Sequence, residues 1–401
     1  MMLFRISYYA TKGFQVSFLF FIFFNAIFCG FTRVNNLFHF SSLCLLIMLV
    51  ANPVLRSRLF EDWQFNRGLS IIALMLGYFS LTTLYPFNFQ LFLSEIIHAL
   101  YLLLFILMFR IMTLYGRRLS VLWAMASGML TLVGLTFFSI NLNTILSNRM
   151  QDGFFGAPSN VIDLAGYFSL GIFVFLIIIR ETGIRWLYFP ISLLLLALLL
   201  TQSRGPLLAF VASMVVLVFL QLIKREFHLL KFTLLGGGVV MLFYITRWGD
   251  IVFQRIANSY QQSFIRFGIW RYTLEMTSQK PFFGWGLEKQ LSFTNLIGDK
   301  ITTTHSLYFS ALLKGGLFGL LLLMLVMIYG FFMVRKHISF NQELEGAIFL
   351  FTTGFYITQG MFIISNPGVS WNIFWFPVSV LLTLPSITST DVIAADNIAL
   401  E

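Results

Sequence analysis

A chain of 401 residues that is 58% hydrophobic and 10% charged, with a mean hydropathy of +0.86, is excluded from the soluble globular class, where about a quarter of residues are charged. The net charge of +10 suggests nucleic acid, but most Lys and Arg punctuate the ends of apolar runs, where they set membrane orientation instead. Cys29 and Cys44 both fall within apolar runs and call for no stabilising disulfide.

The apolar runs lie near 14–31, 37–55, 68–84, 91–115, 119–141, 161–179, 186–201, 207–223, 232–246, 306–334, 346–364 and 372–387. Each approaches the ~20 residues that a helix needs to cross the hydrocarbon core. None alternates as the strands of a membrane barrel do. They predict an all-α polytopic integral membrane protein of about 12 transmembrane helices, forming a single membrane domain over 1–401. No small-residue cleavage site follows the first run, so it is expected as a retained span. Neither an internal repeat nor a linker interrupts the pattern, and the residues from Asp391 to Glu401 read as a short tail.

An even number of spans puts both termini on one side. One set of short connections holds fifteen basic residues: Arg5, Lys12, Arg56, Arg58, Arg67, Arg110, Arg117, Arg118, Arg180, Arg185, Lys224, Arg225, Lys231, Arg335 and Lys336. The opposite set holds three: Arg33, Arg149 and Arg204. The positive-inside rule makes the first set cytoplasmic, and with it both termini. The long loop 247–305 then faces outward. Its seven basic residues do not count, because long loops translocate largely regardless of charge.

Three outward features carry candidate chemistry. The first is the run from Thr201 through Gln202, Ser203, Arg204 and Gly205 to Pro206, where Gly-Pro closes a tight turn and orients the arginine before it. An interfacial arginine snorkelling to lipid headgroups gives the same pattern. The second is a helix predicted over Ile251–Lys280, which places Arg255, Ser259, Gln262, Arg266 and Trp270 on one face, with Arg247 just ahead. Planar guanidiniums suit phosphate or pyrophosphate, since each donates two parallel hydrogen bonds. An amphipathic helix resting on lipid phosphates is the competing reading. Arg271 and Lys280 fall off the stripe and read as solvated or interfacial. Pro281 ends this helix, and the motif Pro281, Phe282, Phe283, Gly284, Trp285, Gly286 reads as architecture rather than a nucleotide loop.

The third feature is Thr302, Thr303, Thr304, His305, Ser306, Leu307 and Tyr308, entering a span that carries Gly315, Gly316 and Gly319. His305 is the histidine placed on the outer surface, and its pKa range suits proton transfer. The glycines are expected to let helices pack closely. The outer acids Asp152, Asp163, Asp250, Glu275, Glu288 and Asp299 show no spacing for a divalent metal, so neither metal nor other cofactor is expected. Glu95, with His98 one turn on, is the acid well inside a span, which gives little support for ion-coupled transport.

These motifs in this order, Ser203-Arg204, Arg266 to Trp270, Pro281 to Gly286 and His305 to Tyr308, resemble the O-antigen ligase and polymerase superfamily. The likeness spans residues 201–320 and extends to the twelve-span layout, while the first 190 residues share hydropathy alone. The family usually has His-Asn where this chain has His305-Ser306. The resemblance implies a GT-C-like, metal-independent inverting glycosyltransferase of the Gram-negative inner membrane, with one long periplasmic loop. The donor would be a glycan on undecaprenyl pyrophosphate and the acceptor lipid A-core, in lipopolysaccharide biosynthesis. Arg204, Arg266 and His305 would be the catalytic residues, with His305 either a base or a group that only places the acceptor. Arg247, Arg255, Trp270 and Tyr308 would bind substrate. A ligase is the leading reading. A polymerase, a protein O-oligosaccharyltransferase and, from another class, a lipid-linked glycan flippase are the alternatives.

Overall fold

The structure is a computed structural model that describes residues 2–29, 31–84, 88–140, 150, 154–224, 237–238, 241, 259–294, 298, 300–360 and 363–384, with side chains at 2–6 and 259–264 left aside. In chain order α1 (Met2–Ile27) and α2 (Thr32–Ala51) lead into the short α3 (Pro53–Leu59). Asn52 caps α3 by accepting from Leu55 N at 3.0 Å, and Pro53 occupies a first-turn position where its missing N–H costs nothing. Next come α4 (Trp63–Leu81), α5 (Phe89–Leu114), α6 (Arg118–Ser139) and α7 (Val161–Thr182). Asp62, Asn88 and Asn160 cap α4, α5 and α7 in the same way, and Gly183 ends α7 in the left-handed conformation.

The second half holds α8 (Tyr188–Leu200), α9 (Arg204–Lys224), α10 (Ser259–Ser278), α11 (Leu307–Ile338), α12 (Glu343–Thr358) and α13 (Phe376–Leu382), the last entered through a π turn at Trp371–Trp375. Two-residue strands β1 (Phe293–Thr294) and β2 (Lys300–Ile301) pair antiparallel, Phe293 opposite Ile301, an element the sequence did not foretell.

Among the described residues eight helices are long and apolar enough to cross a membrane, and the chain is a polytopic membrane protein. Two further apolar helices, Arg185–Leu200 and Trp371–Leu382, are shorter, and α12 has 16 residues. The expected span 232–246 lies almost wholly outside the described residues, as does the tail from Asp391. α1 begins well before the predicted 14, and α12 stops at Thr358 rather than 364, because Gln359 turns to extended backbone.

Lipid is as apolar as leucine, so these helices associate through close packing and hydrogen bonds rather than by burial from water. α7 is the central one: 83% of its most apolar window is inside the protein, against 28% for α5 and for α9. Trp371 is fully buried, with the rings of Phe21, Phe38 and Phe105 at 6.0, 5.0 and 5.1 Å. Such pairs contribute about 0.5–1.5 kcal/mol each beyond area. Beside them the buried Asn372 Nδ2 donates to Tyr167 OH at 2.7 Å and Asn25 O at 2.9 Å, joining α1, α7 and the π turn.

Charge gathers at one end of the bundle. Glu345, at the start of α12, is fully buried and takes a two-pronged grip from Arg180 at 2.7 and 2.6 Å and a third bond from Arg118 at 2.5 Å. Lys224 pairs with Glu343, Lys336 with the Gln64 side chain, and Arg110 with Asp62 at 3.6 Å. All five cations belong to the basic-rich set of connections. The opposite ends of α7, α9, α11 and α12 meet at the site described next.

Candidate active site

The segment built on α10 is fixed to the bundle by an interruption in α11. At Gly316 the backbone leaves the helical region, with φ 63° and ψ −160°. The carbonyls and amides released there pair with the Pro281–Gly286 motif. Trp285 N donates to Leu313 O and Gly286 N to Lys314 O, both at 2.9 Å. In return Leu317 N donates to Pro281 O at 2.8 Å and Phe318 N to Phe282 O at 3.2 Å. The motif is thus architectural, as its sequence suggests, by repairing a broken helix. Gly316 is a break rather than the close-packing residue expected. Gly315 and Gly319 do pack closely, against Phe79.

A second small core stands on this junction. Ile269, Leu291 and Leu313 are buried together, with Trp270, Tyr272, Trp285 and Phe293 around them. Leu291 N donates to Thr302 O at 2.9 Å, which carries the β1–β2 pairing toward Thr304. Lys280 lies 4.3 Å from the Trp285 ring centroid and is half-buried, so it is held against an aromatic face rather than solvated. Arg271 is 84% exposed and pairs with Glu275 at 3.2 Å. A groove of about 570 Å³ opens beside the motif, walled by Tyr78, Leu81, Phe282 and Phe283 with Lys280 on its lining.

Trp270 sets the position of His305. Its indole N–H donates to Thr304 O at 3.1 Å, and its ring stacks on Phe309 at 5.1 Å. Arg266 lies one helical turn before Trp270 on the same face and so comes beside the next residue, His305. His305 is half-buried and held at φ 48°, a left-handed conformation costing roughly 1–2 kcal/mol for a residue with a Cβ. Burial, and after it the Arg266 charge, hold the imidazole below its ordinary 6.5. The ring is therefore neutral at physiological pH and able to accept a proton. Burial also lowers the Arg266 pKa, yet arginine remains charged at every relevant pH. Tyr308, the other aromatic of this motif, donates its hydroxyl to Thr353 O at 3.0 Å, so the hydroxyl faces α12.

Arg204 opens α9 at the same end of the bundle. Gln202 before it is also left-handed, at φ 51°, and the buried Ser203 Oγ donates to Val161 O at 3.3 Å, at the start of α7. The Arg204 and His305 turns are joined through the end of α12. A Cβ on Gly205 would lie 2.5 Å from Thr358 Oγ1, and one on Gly360 would lie 2.5 Å from Ser306 C. Between these contacts Gln359 Nε2 donates to Asp163 Oδ1 at 2.9 Å. Asp163 entered the sequence reading only as an outer acid, and Gln359 not at all; neither has a motif that marks it. Arg247 and Arg255 lie outside the described residues, as do the side chains of Ser259 and Gln262. Among the described residues no group of three His, Cys, Asp or Glu side chains could hold a metal ion.

Residues 189–324, which contain Arg204, Arg266, Trp270, the Pro281–Gly286 motif, His305 and Tyr308, match the family model described as O-antigen ligase. Over this stretch the chain is similar to the O-antigen ligase family. The match covers α8 to the middle of α11, about a third of the chain. No curated protein matches the sequence. The matched stretch takes in α9, the segment built on α10 and the break in α11, while Gln359 and Asp163 lie outside it.

Proposed function

We propose that the protein is an O-antigen ligase that transfers a glycan from undecaprenyl pyrophosphate to lipid A-core at the periplasmic face of a Gram-negative inner membrane. The observation that carries this reading is the neutral, half-buried His305 beside the charged Arg266, on a loop attached to a membrane bundle. His305 takes the proton of the acceptor hydroxyl as the new bond from that oxygen to the anomeric carbon forms. The bond from the anomeric carbon to the pyrophosphate oxygen breaks on the opposite face, so configuration inverts. The electron pair leaves with pyrophosphate. Arg266 and Arg204 meet its growing charge, which stabilises the transition state more than the ground state. The groove walled by Leu81, Phe282 and Phe283 offers the donor's isoprenoid chain an apolar surface.

No step in this scheme uses a metal. The loop 247–305 would then be periplasmic and both termini cytoplasmic, in keeping with the basic residues collected at the other end of the bundle. The twelve-span count belongs to the same reading, with 232–246 as the remaining span.

A polymerase uses the same donor chemistry on a lipid-linked acceptor and is the second reading. The lipopolysaccharide banding pattern of a deletion strain separates them. A ligase deletion leaves lipid A-core bare while lipid-linked polymer accumulates. A polymerase deletion leaves a single O-unit on the core. Transfer by the purified protein should persist in excess chelator. Activity lost with EDTA and restored by magnesium would overturn the metal-free scheme.

A further inference from the structure

Asp163 stands in the first turn of α7, 8% exposed, with its Oδ1 2.9 Å from Gln359 Nε2. A carboxylate buried at the edge of a membrane bundle is costly, and such residues are kept where they have a task. The helix N-terminus offsets part of that cost. What the hydrogen bond holds is specific. Gln359 lies between Thr358, which faces Gly205 next to Arg204, and Gly360, which faces Ser306 next to His305. Gln359 has already left α12, at φ −135° and ψ 139°. α7 also holds the Arg204 turn directly, through Val161 O and Ser203 Oγ at 3.3 Å. One helix start therefore holds the Arg204 turn directly and reaches the His305 turn through Gln359.

We propose that Asp163 is a positioning residue. Through Gln359 it fixes the separation between Arg204 and His305, so that the leaving pyrophosphate and the acceptor hydroxyl are met at the same time. The proposal rests on the transfer reading above. It touches no reacting atom, so its signature is turnover rather than binding. Misplacement by about 1 Å costs on the order of 10²-fold in rate.

The test measures kcat and KM for transfer from undecaprenyl-pyrophosphate-linked glycan to lipid A-core, with melting of the detergent-solubilised protein followed alongside. Asp163→Ala should lower kcat roughly 10–100-fold with little change in either KM. Asp163→Asn keeps an acceptor oxygen and should retain most of the turnover. Gln359→Glu sets two carboxylates against each other and should inactivate. Asp163→Asn combined with Gln359→Glu restores the hydrogen bond with its polarity reversed, and should recover activity over Gln359→Glu alone. Normal kcat in Asp163→Ala overturns the proposal. So does a double variant no better than Gln359→Glu, and this comparison decides the matter if the alanine variant fails to fold. The unsubstituted protein serves as the control: if it shows no transfer in this assay, the transfer reading itself has failed, and not only the role of Asp163.

Discussion

Gly284 and Gly316 stand backbone against backbone, at φ 71° and 63°: a Cβ on Gly284 would fall 2.5 Å from Gly316 N, and one on Gly316 would fall 2.6 Å from Gly284 N. This contact seals the Pro281–Gly286 motif into the break of α11 and so carries the whole platform built on α10. Gly284→Ala and Gly316→Ala should each destabilise by at least ~2 kcal/mol, from a left-handed penalty of about 1–2 kcal/mol plus the clash. Gly77, a helical glycine with open space around it, is the contrast. Gly77→Ala should be neutral or stabilising by up to ~1 kcal/mol. Thermal melts in detergent read all three.

The guanidinium forks are the next prediction. Arg204→Lys and Arg266→Lys keep charge but lose the planar pair of donors, so each should lower transfer at least tenfold (about 1.4 kcal/mol in the barrier). Arg271→Lys, at an exposed pair with Glu275, should be tolerated. Wild-type rates in both of the first two variants would reduce those arginines to interfacial anchors.

The pH dependence of transfer follows from His305. Its folded pKa lies below 6.5, so the rate should rise with pH through that lowered value and level off above it, at lower pH than a free imidazole would. His305→Ala should lose roughly 10²–10⁴-fold. His305→Gln keeps a hydrogen bond without a base, and near-normal activity there would mean that His305 only places the acceptor. Stability runs in the matching direction. The unfolded chain binds this proton more readily than the folded one, so stability falls as pH drops from 6.5 toward the folded value and is unaffected above 6.5. His305→Gln should flatten both dependences.

At the other end of the bundle, Glu345 neutralises two arginines without exposure to water. Glu345→Ala leaves Arg118 and Arg180 facing each other and should cost about 3–5 kcal/mol, with little effect on the chemistry of the properly folded fraction. A melt that drops while kcat per folded molecule holds is the expected outcome. Loss of kcat at full stability would instead tie this cluster to the site.

The sequence by itself determined the membrane class, the order of the spans and the grouping of the cations. Those depend on run length and charge, which the solvent reads one segment at a time. It also marked Arg204, Arg266 and His305 as candidates for the chemistry and the Pro281–Gly286 motif as architecture, because a lone arginine fork, a neutral-range base and a proline stop are local properties. Only the tertiary structure decided how they meet. The bond from Trp270 to Thr304 spans 34 positions and turns Arg266 toward His305, while that from Asp163 to Gln359 spans 196 and joins two helix ends with no motif between them. Gly316 looks in sequence like any small residue of a packed span; it becomes a break only because the backbone of Phe282 and Gly284 arrives to satisfy the groups that the break exposes. Each of these contacts is a long-range pairing of unremarkable residues, and no local pattern in a single chain encodes a pairing of that kind.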